Sequence, residues 1–171
     1  RHLPQTAYGQ AHKQDGQPER FRHLPIRRYE DLYPYIEQAL RGAPAQLWPG
    51  RPGWFAKSSG TTNDRSKYIP IPRHSLKGTH YRAGRDMLAW YLNQNPHSRA
   101  FAGKGFVLGG SHAIVQEHPH ARTGDLSAVL LANLPRFYKA RQAPSQAVAL
   151  HNDWEEKIEA AAQEALQTDV T

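Results

Sequence analysis

The 171-residue sequence contains no cysteine. Without thiols the chain cannot form a disulfide framework, a zinc site with thiolate ligands or a cysteine nucleophile, although the redox compartment stays open. Long apolar runs are also missing, since none approaches the roughly 18–20 residues that a membrane-spanning helix needs. The sequence starts without the charged and then apolar segment of a secretory signal. We therefore expect a soluble, cytoplasmic protein that has no membrane partner.

Both ends of the sequence lack the marks of natural termini. The first residue is Arg1 instead of Met, and residues 169–171 follow directly on a strongly helical segment. A hydrophobic content of 39% with four Trp, eight Tyr and five Phe is nevertheless typical of a globular chain. We expect a fragment that forms a single incomplete domain over residues 1–171. Within it, residues 1–28 have few aliphatic side chains and are predicted to be loop-like.

Positive charge is concentrated in the middle of the chain. The formal net charge is +7, and residues 51–125 alone carry eleven basic and four acidic side chains. Such a field favours an anionic partner, which is either a phosphorylated small molecule or nucleic acid. A solvated basic face without a partner is the alternative.

Apolar residues repeat at helical spacing in three long segments. The first is residues 28–41, and because Pro34 is tolerated only near a first turn, the regular helix is expected to begin close to Asp31. Its apolar face consists of Tyr29, Leu32, Tyr33, Ile36 and Leu40. The second is residues 74–94, with apolar positions at Leu76, Tyr81, Ala83, Met87, Trp90 and Tyr91, of which the last two are expected to pack in the core. The third begins at Asn152 or Asp153 as N-cap and has an apolar face of Trp154, Ile158, Ala161, Ala162, Ala165 and Leu166.

Short extended segments lie between these helices. Residues 54–57 and 67–71 are predicted strands, and the prolines at 70 and 72 end the second strand or place it at an edge. Residues 105–110 are predicted to be a short buried strand that ends in a glycine turn, and residues 113–116 another strand. Residues 126–134 are apolar enough for a buried helix. The alternation of helices and strands indicates an α/β or α+β class.

A run of small polar residues separates the first two strands. Residues 58–62 read Ser-Ser-Gly-Thr-Thr, with Lys57 before them and Arg65 and Lys67 after them. Such a turn can present backbone N–H groups and hydroxyls to a polyphosphate, and Gly60 lets the backbone approach closely. The run does not match the Gly-x-x-x-x-Gly-Lys-Ser/Thr loop, because a glycine is missing before it and Lys67 lies too far along. The composition alone leaves a plain structural turn as an alternative.

Residues 55–70 as a whole closely resemble the phosphate loop of the acyl-acid amido synthetases of the auxin-responsive promoter family. Other segments resemble the family in the same order: residues 6–9, 21–31, 103–105 (Gly-Lys-Gly), 109–112 (Gly-Gly-Ser-His), 124–127 (Gly-Asp-Leu-Ser) and 153–158 (Asp-Trp-Glu-Glu-Lys-Ile), the last four as in its bacterial branch. The resemblance implies an α/β fold, the N-terminal portion of an adenylate-forming, acyl-CoA synthetase/luciferase-like fold, incomplete in this chain.

The resemblance also implies a two-step, ATP-dependent reaction. A small carboxylic acid attacks the α-phosphate of ATP to give an acyl-adenylate, and an amine or amino acid then attacks the activated carbonyl to give an amide. The ATP-phosphate-binding residues that it implies are Ser58, Ser59, Gly60, Thr61, Thr62 and Lys67, the last neutralising charge as pyrophosphate leaves. Asn63-Asp64 departs from the family, because many distant relatives keep glycine there.

Full-length members continue well beyond residue 171. Their later segments hold the adenine, the ribose and a carboxylate for Mg²⁺, so we expect the metal ligand and a mobile C-terminal domain to lie outside this chain. The rest of the parent polypeptide is then an expected partner. Alone, the chain is expected to bind ATP weakly and to catalyse no turnover.

The helix at residues 74–94 helps to wall the acyl pocket in the family. On that basis Tyr81, Arg85 and His112 are candidate acyl-pocket residues, since a guanidinium fork suits a carboxylate. The alternative is that Tyr81 packs in the core and the arginine faces water.

Two further polar groups have simpler interpretations. His112, His118 and His120, with Glu117, lack a catalytic-metal spacing, so no metal site is predicted. Asp125 is expected to cap the helix that follows it instead of serving a site.

Two other functions remain open from the sequence. One is a basic module that binds nucleic acid or another polyanion without catalysis, which is disfavoured because the basic residues follow no recognised motif. The other is a structural remnant of an adenylating enzyme. The sequence identifies neither the acyl acid nor the amine.

Overall fold

The computed structural model of the chain describes residues 2–13, 24–58, 66–110 and 114–171. Contacts divide it into two compact units. The first unit comprises Arg1–Arg73 and Val115–Thr123, and the second comprises His74–Ile114 and Gly124–Thr171. Whether both belong to one incomplete domain stays a prediction.

The first unit begins with a short ordered segment. A 3₁₀ turn, Leu3–Gln5, leads into helix α1, Ala7–Ala11. The Thr6 hydroxyl accepts the N–H of Gly9 and donates to the Leu3 carbonyl, and Thr6 is fully buried. The N–H of Ala7 donates to the Ala45 carbonyl at 2.8 Å. This segment therefore differs from the loop-like prediction, because it docks on a neighbouring loop that buries it.

Helix α2, Tyr29–Leu40, begins two residues before the predicted start. The Asp31 carboxylate accepts the N–H of Arg28 at 3.0 Å and so caps the first turn. Pro34 consequently lies in the second turn, on the exposed side. The helix buries Ile36, Ala39 and Leu40 in a cluster with two sheet residues, Phe55 and Ala121. Gly42 follows the helix with φ of +96°, the left-handed conformation typical of a residue that ends a helix.

A four-stranded sheet carries the core of the first unit. The strands are β1 (Trp54–Lys57), β2 (Tyr68–Pro70), β4 (Val115–His118) and β5 (Ala121–Gly124), in the order β2-β1-β5-β4. β1 pairs with β2 in antiparallel register, with Lys57 opposite Tyr68. β2 is an edge strand, as its prolines predicted. The strand predicted at residues 113–116 begins two residues later, at Val115.

A helical segment of three parts begins at Arg73, the last residue before the second unit. Helix α3, Arg73–Ser75, passes through a π-helical turn, Leu76–His80, into helix α4, Tyr81–Gln94. The helix ends before Asn95, as predicted, but the expected packing of its aromatic pair is wrong. Trp90 is 67% exposed, Tyr91 43% and Met87 62%. The half-buried side of α4 instead carries Tyr81, Gly84, Leu88 and Leu92.

Short elements fill the middle of the second unit. Strand β3, Gly105–Phe106, pairs in parallel with β6, Gln142–Ala143. β3 is shorter and more exposed than the buried strand predicted at residues 105–110, because Phe106 and Val107 face outward. Helix α5, Leu126–Ala132, ends two residues before the predicted end and buries Ala128, Val129 and Leu131, while Leu126 is 39% exposed. Two short helices, α6 (Arg136–Ala140) and α7 (Gln146–Ala149), were not predicted.

The last helix, α8, spans Trp154–Leu166 and is capped by Asp153, whose carboxylate accepts the N–H of Glu156 at 2.9 Å. The predicted apolar face is largely wrong. Ala161 is buried, but Leu166 is 89% exposed, and Trp154 and Ile158 are about half exposed. The position that is buried instead is Lys157, at 1% exposure. None of the helices in the described residues combines the length and apolar character needed to cross a membrane.

Candidate functional site

The predicted phosphate loop leaves one strand of a hairpin and returns on the next. Ser58 follows β1 and Lys67 precedes β2, and reciprocal hydrogen bonds close the neck between them. The Ser58 N–H donates to the Lys67 carbonyl, and the Lys67 N–H donates to the Ser58 hydroxyl oxygen, each at 3.0 Å. The hydroxyl acts only as acceptor in this pair, so its own proton is left for a further acceptor. The neck therefore fixes where the loop leaves and re-enters the sheet.

Tyr29 on helix α2 holds strand β2 in place through hydrogen bonds to Tyr68. The N–H of Tyr68 donates to the Tyr29 hydroxyl at 2.8 Å, and this hydroxyl donates to the Tyr68 carbonyl at 3.3 Å. Burial raises the pKa of the Tyr29 phenol above its usual value, opposed by the hydrogen bond to Tyr68. The phenol thus stays protonated and can serve as donor and acceptor at once. The sequence assigned Tyr29 only to the apolar face of the helix.

Two lysine ammoniums flank the neck over aromatic rings. Lys67 Nζ lies 5.3 Å from the centre of the Tyr29 ring and 3.7 Å from the Glu30 carboxylate. Lys57 Nζ lies 5.6 Å from the centre of the Tyr68 ring. Aromatic faces attract cations, so both ammoniums are held at the base of the loop.

The centre of the predicted loop lies outside the described residues. Ser59, Gly60, Thr61 and Thr62 belong to this part, so their phosphate-binding role stays a prediction. Of the six predicted phosphate ligands, the structure brings together Ser58 and Lys67.

The predicted acyl-pocket residues fall in the second unit. Tyr81 is half-buried, its hydroxyl donates to the Leu130 carbonyl at 2.9 Å, and burial raises its pKa to about 12. Arg85 is exposed and pairs with Asp86 at 2.8 Å, an interaction that raises the pKa of Arg85 and lowers that of Asp86. His112 lies outside the described residues. Their acyl-binding role stays a prediction.

Arg85 also lines an open groove of about 500 Å³ in the second unit. The remaining lining residues are mainly apolar and aromatic: Leu88, Ala89, Leu92, Phe101, Phe137, Tyr138 and Arg141. Tyr81 is not among the lining residues. Tyr81 and Arg85 lie one turn apart on α4, but only Arg85 lines this groove.

A polar cluster surrounds Gly110 and was not predicted. The Gly110 N–H donates to the Ser127 hydroxyl at 2.9 Å, and its carbonyl accepts from Lys157 Nζ at 3.1 Å. Asp125 occupies the N-cap position of α5, but its carboxylate makes no capping hydrogen bond and lies against Gly110. The expected capping role of Asp125 is therefore wrong. The only sequence signal was Lys157 itself, a charge flanked by the apolar side chains of α8.

In the part of the chain that is described, no three His, Asp or Glu side chains are grouped so that they could hold a metal ion. His118 lies on β4 and His120 in the turn after it. The expectation of no metal site in this chain stays a prediction, since His112 is not among the described residues.

The chain is similar in sequence and in fold to known amido synthetases. A solved GH3.15 acyl acid amido synthetase superposes with a TM-score of 0.63 at 20% identity, covering 96% of this chain and 28% of that one. The likeness confirms the α/β, adenylate-forming fold of which this chain is a part. The indole-3-acetic acid-amido synthetase GH3.10 of Arabidopsis thaliana is 40% identical over 57 residues, which is 33% of this chain and 10% of that protein.

The chain thus spans less than a third of the length of either relative. The model of the GH3 family N-terminal domain matches residues 1–171, the whole chain. The fold, the ordered motifs and this match agree with one another, and the chain belongs to the GH3 family.

Proposed function

We propose that this chain is the ATP-phosphate-binding portion of a longer enzyme that activates a small carboxylic acid as an acyl-adenylate and converts it to an amide. Family membership supports the general chemistry, because the relatives carry the names of amido synthetases. The observation that carries the proposal for this chain is the closed neck between Ser58 and Lys67, with positive charge on both sides of it.

The reaction requires stabilisation of negative charge more than covalent catalysis by the protein. A carboxylate oxygen attacks the α-phosphorus of ATP, the bond to the bridging oxygen breaks, and pyrophosphate leaves with that electron pair. The amine nitrogen then attacks the acyl carbon, AMP leaves, and the nitrogen loses a proton. In the first step negative charge moves onto the β- and γ-phosphates, where N–H, O–H and ammonium donors lower the barrier.

The neck limits what Ser58 contributes to this step. Its N–H is already bonded to the Lys67 carbonyl, so a role as backbone donor to phosphate is not available. The hydroxyl proton remains, and the bond from the Lys67 N–H orients the oxygen that carries it. We assign Ser58 a hydroxyl contact with phosphate. Ser59, Gly60, Thr61 and Thr62 supply the other donors and the clearance.

Lys67 supplies charge rather than a fixed ligand. Its ammonium lies 3.7 Å from Glu30, a separation typical of an exposed ion pair, which contributes only about 0–1 kcal/mol. An arriving phosphate carries more negative charge than one carboxylate and replaces Glu30 at little expense. Mg²⁺, when bound, would neutralise charge on the phosphates, and we expect its carboxylate ligand in a later segment of the parent polypeptide, as the family resemblance implies.

The remaining expectations follow the same proposal. The substrates are a small carboxylic acid and an amine or amino acid. The remainder of the parent polypeptide completes the site. The protein is cytoplasmic and belongs to the bacterial branch of the family. Arg85 and its groove stay candidates for the acyl acid. Nucleic-acid binding is not proposed, since the basic residues follow no recognised nucleic-acid motif.

Carboxylate-dependent ATP–pyrophosphate exchange by the complete protein tests the proposal. A panel of indole-3-acetate, benzoate and hexanoate serves as probe. We expect exchange with at least one acid, and a loss of at least about 100-fold in a Ser59→Ala/Thr61→Ala double variant, as when transition-state donors are removed. The matched control, Ser75→Ala/Thr79→Ala, lies just outside the hairpin and should retain exchange.

Two outcomes would contradict the proposal. Exchange that survives in the double variant would remove the phosphate-loop assignment. A steep salt dependence of binding to nucleic acid, together with absent exchange, would favour the polyanion-binding alternative.

A further inference from the structure

Strand β3 has a second neighbour in addition to β6. Val170 forms a parallel bridge with Lys104, the residue just before β3. The Lys104 N–H donates to the Asp169 carbonyl at 2.8 Å, and the Thr171 N–H donates to the Lys104 carbonyl at 3.0 Å. β3 is therefore flanked by β6 on one side and by residues 169–171 on the other, and all three run in the same direction.

The backbone groups along β3 bond alternately to these two neighbours, as a parallel ladder requires. Towards β6, the N–H groups of Gly105 and Val107 both donate to carbonyls at 2.9 Å. Lys104 bonds to residues 169–171 instead. By the same alternation, the N–H and the carbonyl of Phe106 point to the side of residues 169–171.

The backbone of Phe106 makes no hydrogen bond within the described ranges. If the ladder at Val170 is continued by one step, the Thr171 carbonyl becomes the acceptor for the Phe106 N–H. The donor to the Phe106 carbonyl is then the N–H of the second residue after Thr171. Unpaired groups of this kind at a strand edge are a template for a further strand. The ladder along this side of β3 is thus begun but not completed by residue 171.

The side chains of β3 favour a strand that is covered on both faces. Phe106 and Val107 are successive residues of an extended segment, so they point to opposite faces of the sheet, and each is 44% exposed. Residues 106–108 read Phe-Val-Leu, a continuous apolar run typical of parallel strands with both faces buried. The buried strand predicted at residues 105–110 therefore fits a longer polypeptide that covers this part of the sheet.

The occupant of this edge is indicated by the segment that already lies there. This chain covers 28% of the solved relative, so a complete member of the family has much more polypeptide to place. Residues 169–171 are aligned with β3 in direction and register, so the residues that follow need no turn to reach Phe106. A second copy of the chain would have to pair with an edge that residues 169–171 partly occupy.

We propose that the polypeptide following Thr171 continues as a parallel strand along β3 and completes the backbone hydrogen bonds of Phe106. This inference rests on the proposed function, in which the chain is a portion of a longer enzyme. β3 becomes the central strand of three. The first and second residues after Thr171 lie beside Phe106 and Val107, and we expect both to be apolar and mainly β-branched.

Amide hydrogen exchange in the complete protein and in the 171-residue chain tests this pairing. We expect the protection of the Phe106 amide, relative to that of Val107, to be at least about tenfold greater in the complete protein. The Val107 amide is the matched control, because its acceptor, the Ala143 carbonyl, is present in both. Equal ratios would overturn the inference. Protection of Phe106 that rises with protein concentration would assign the edge to a second copy and overturn it as well.

A variant of the complete protein gives a second measurement, which does not need the 171-residue chain to fold by itself. Thr171→Pro removes the N–H that donates to the Lys104 carbonyl, so it should detach the new strand where it starts. We expect the Phe106 amide to exchange about tenfold faster or more than in Thr171→Val. The valine variant keeps the N–H and loses only the hydroxyl. Equal exchange in the two variants would contradict the proposed strand.

The parent reading frame and the pyrophosphate-exchange assay complete the test. A proline at the second position after Thr171 would overturn the inference, because proline has no N–H to donate to Phe106. A protected Phe106 amide without pyrophosphate exchange for any acid would uphold the strand and overturn the proposed function. Pyrophosphate exchange with an unprotected Phe106 amide would do the reverse.

Discussion

Helices α2 and α8 are of similar length, 12 and 13 residues, yet they bury different kinds of face. α2 turns Ile36 and Leu40 onto the sheet of the first unit. α8 buries Lys157 and Ala161 in the second unit and leaves its largest apolar side chains exposed.

The difference lies in what each helix packs against. The surface under α2 is an apolar sheet, with Phe55 and Ala121 both at 0% exposure, so burying aliphatic side chains is favourable there. The surface under α8 includes the carbonyl of Gly110, which accepts a hydrogen bond from an ammonium. Which face of a helix is buried thus depends on the chemical groups that lie opposite it, and not only on the hydrophobicity of that face.

The largest expected effect tests this contrast directly. Ile36→Ala removes a side chain that is 3% exposed, and we expect the free energy of unfolding to fall by about 2–5 kcal/mol. The matched change Ile158→Ala, at 42% exposure, should cost about 0.5 kcal/mol or less. Urea denaturation of the 171-residue chain measures both. Equal losses would mean that Ile158 is covered in solution.

The tie between α2 and the hairpin gives the next effect. Tyr29→Phe leaves the N–H of Tyr68 without its acceptor, which should lower the free energy of unfolding by about 1–2 kcal/mol. Exchange of the Tyr68 amide should accelerate with it. Tyr33→Phe, on the same helix with an exposed ring, is the control and should change neither quantity. An unchanged Tyr68 amide in Tyr29→Phe would argue against the tie.

The N-cap of α8 was predicted from the sequence, although the predicted apolar face of this helix was largely wrong. Variants at the cap test the local prediction by itself. Asp153→Ala removes the cap on the N–H of Glu156, and we expect a loss of about 1 kcal/mol in denaturation experiments. Asn152→Ala removes the other residue that the sequence offered as a cap and should be nearly neutral. A larger loss in Asn152→Ala would reverse this assignment.

The smallest expected effect is a fall in stability at alkaline pH, which comes from Tyr81 on the half-buried side of α4. Burial raises the pKa of Tyr81 to about 12, so above pH 10 the unfolded chain releases this proton before the folded chain does. Stability should therefore fall as pH rises from about 10 towards 12. In Tyr81→Phe that part of the fall disappears, which pH-dependent urea denaturation measures.

The hairpin that carries Ser58 and Lys67 could be predicted because its signals are local. The strand–loop–strand order around Ser58 and Lys67 follows from composition, and the structure has both residues at the neck of a hairpin. The Tyr29 tie could not be predicted, since it joins residues 39 positions apart. The same holds for Lys157, whose acceptor lies 47 positions earlier in the chain. Long-range pairs leave no periodic signal.

The sequence by itself determined the helices at α2, α4 and α8, the edge strand β2 and the family, because spacing, capping residues and proline act over a few neighbours. Only the tertiary structure decided which faces are buried, that Asp125 lies against Gly110 instead of capping, and that the Ser58 hydroxyl accepts the N–H of Lys67. Burial depends on the surface that a fold brings opposite each side chain. For α8 that surface is a glycine carbonyl, so a lysine is inside and a tryptophan is half exposed.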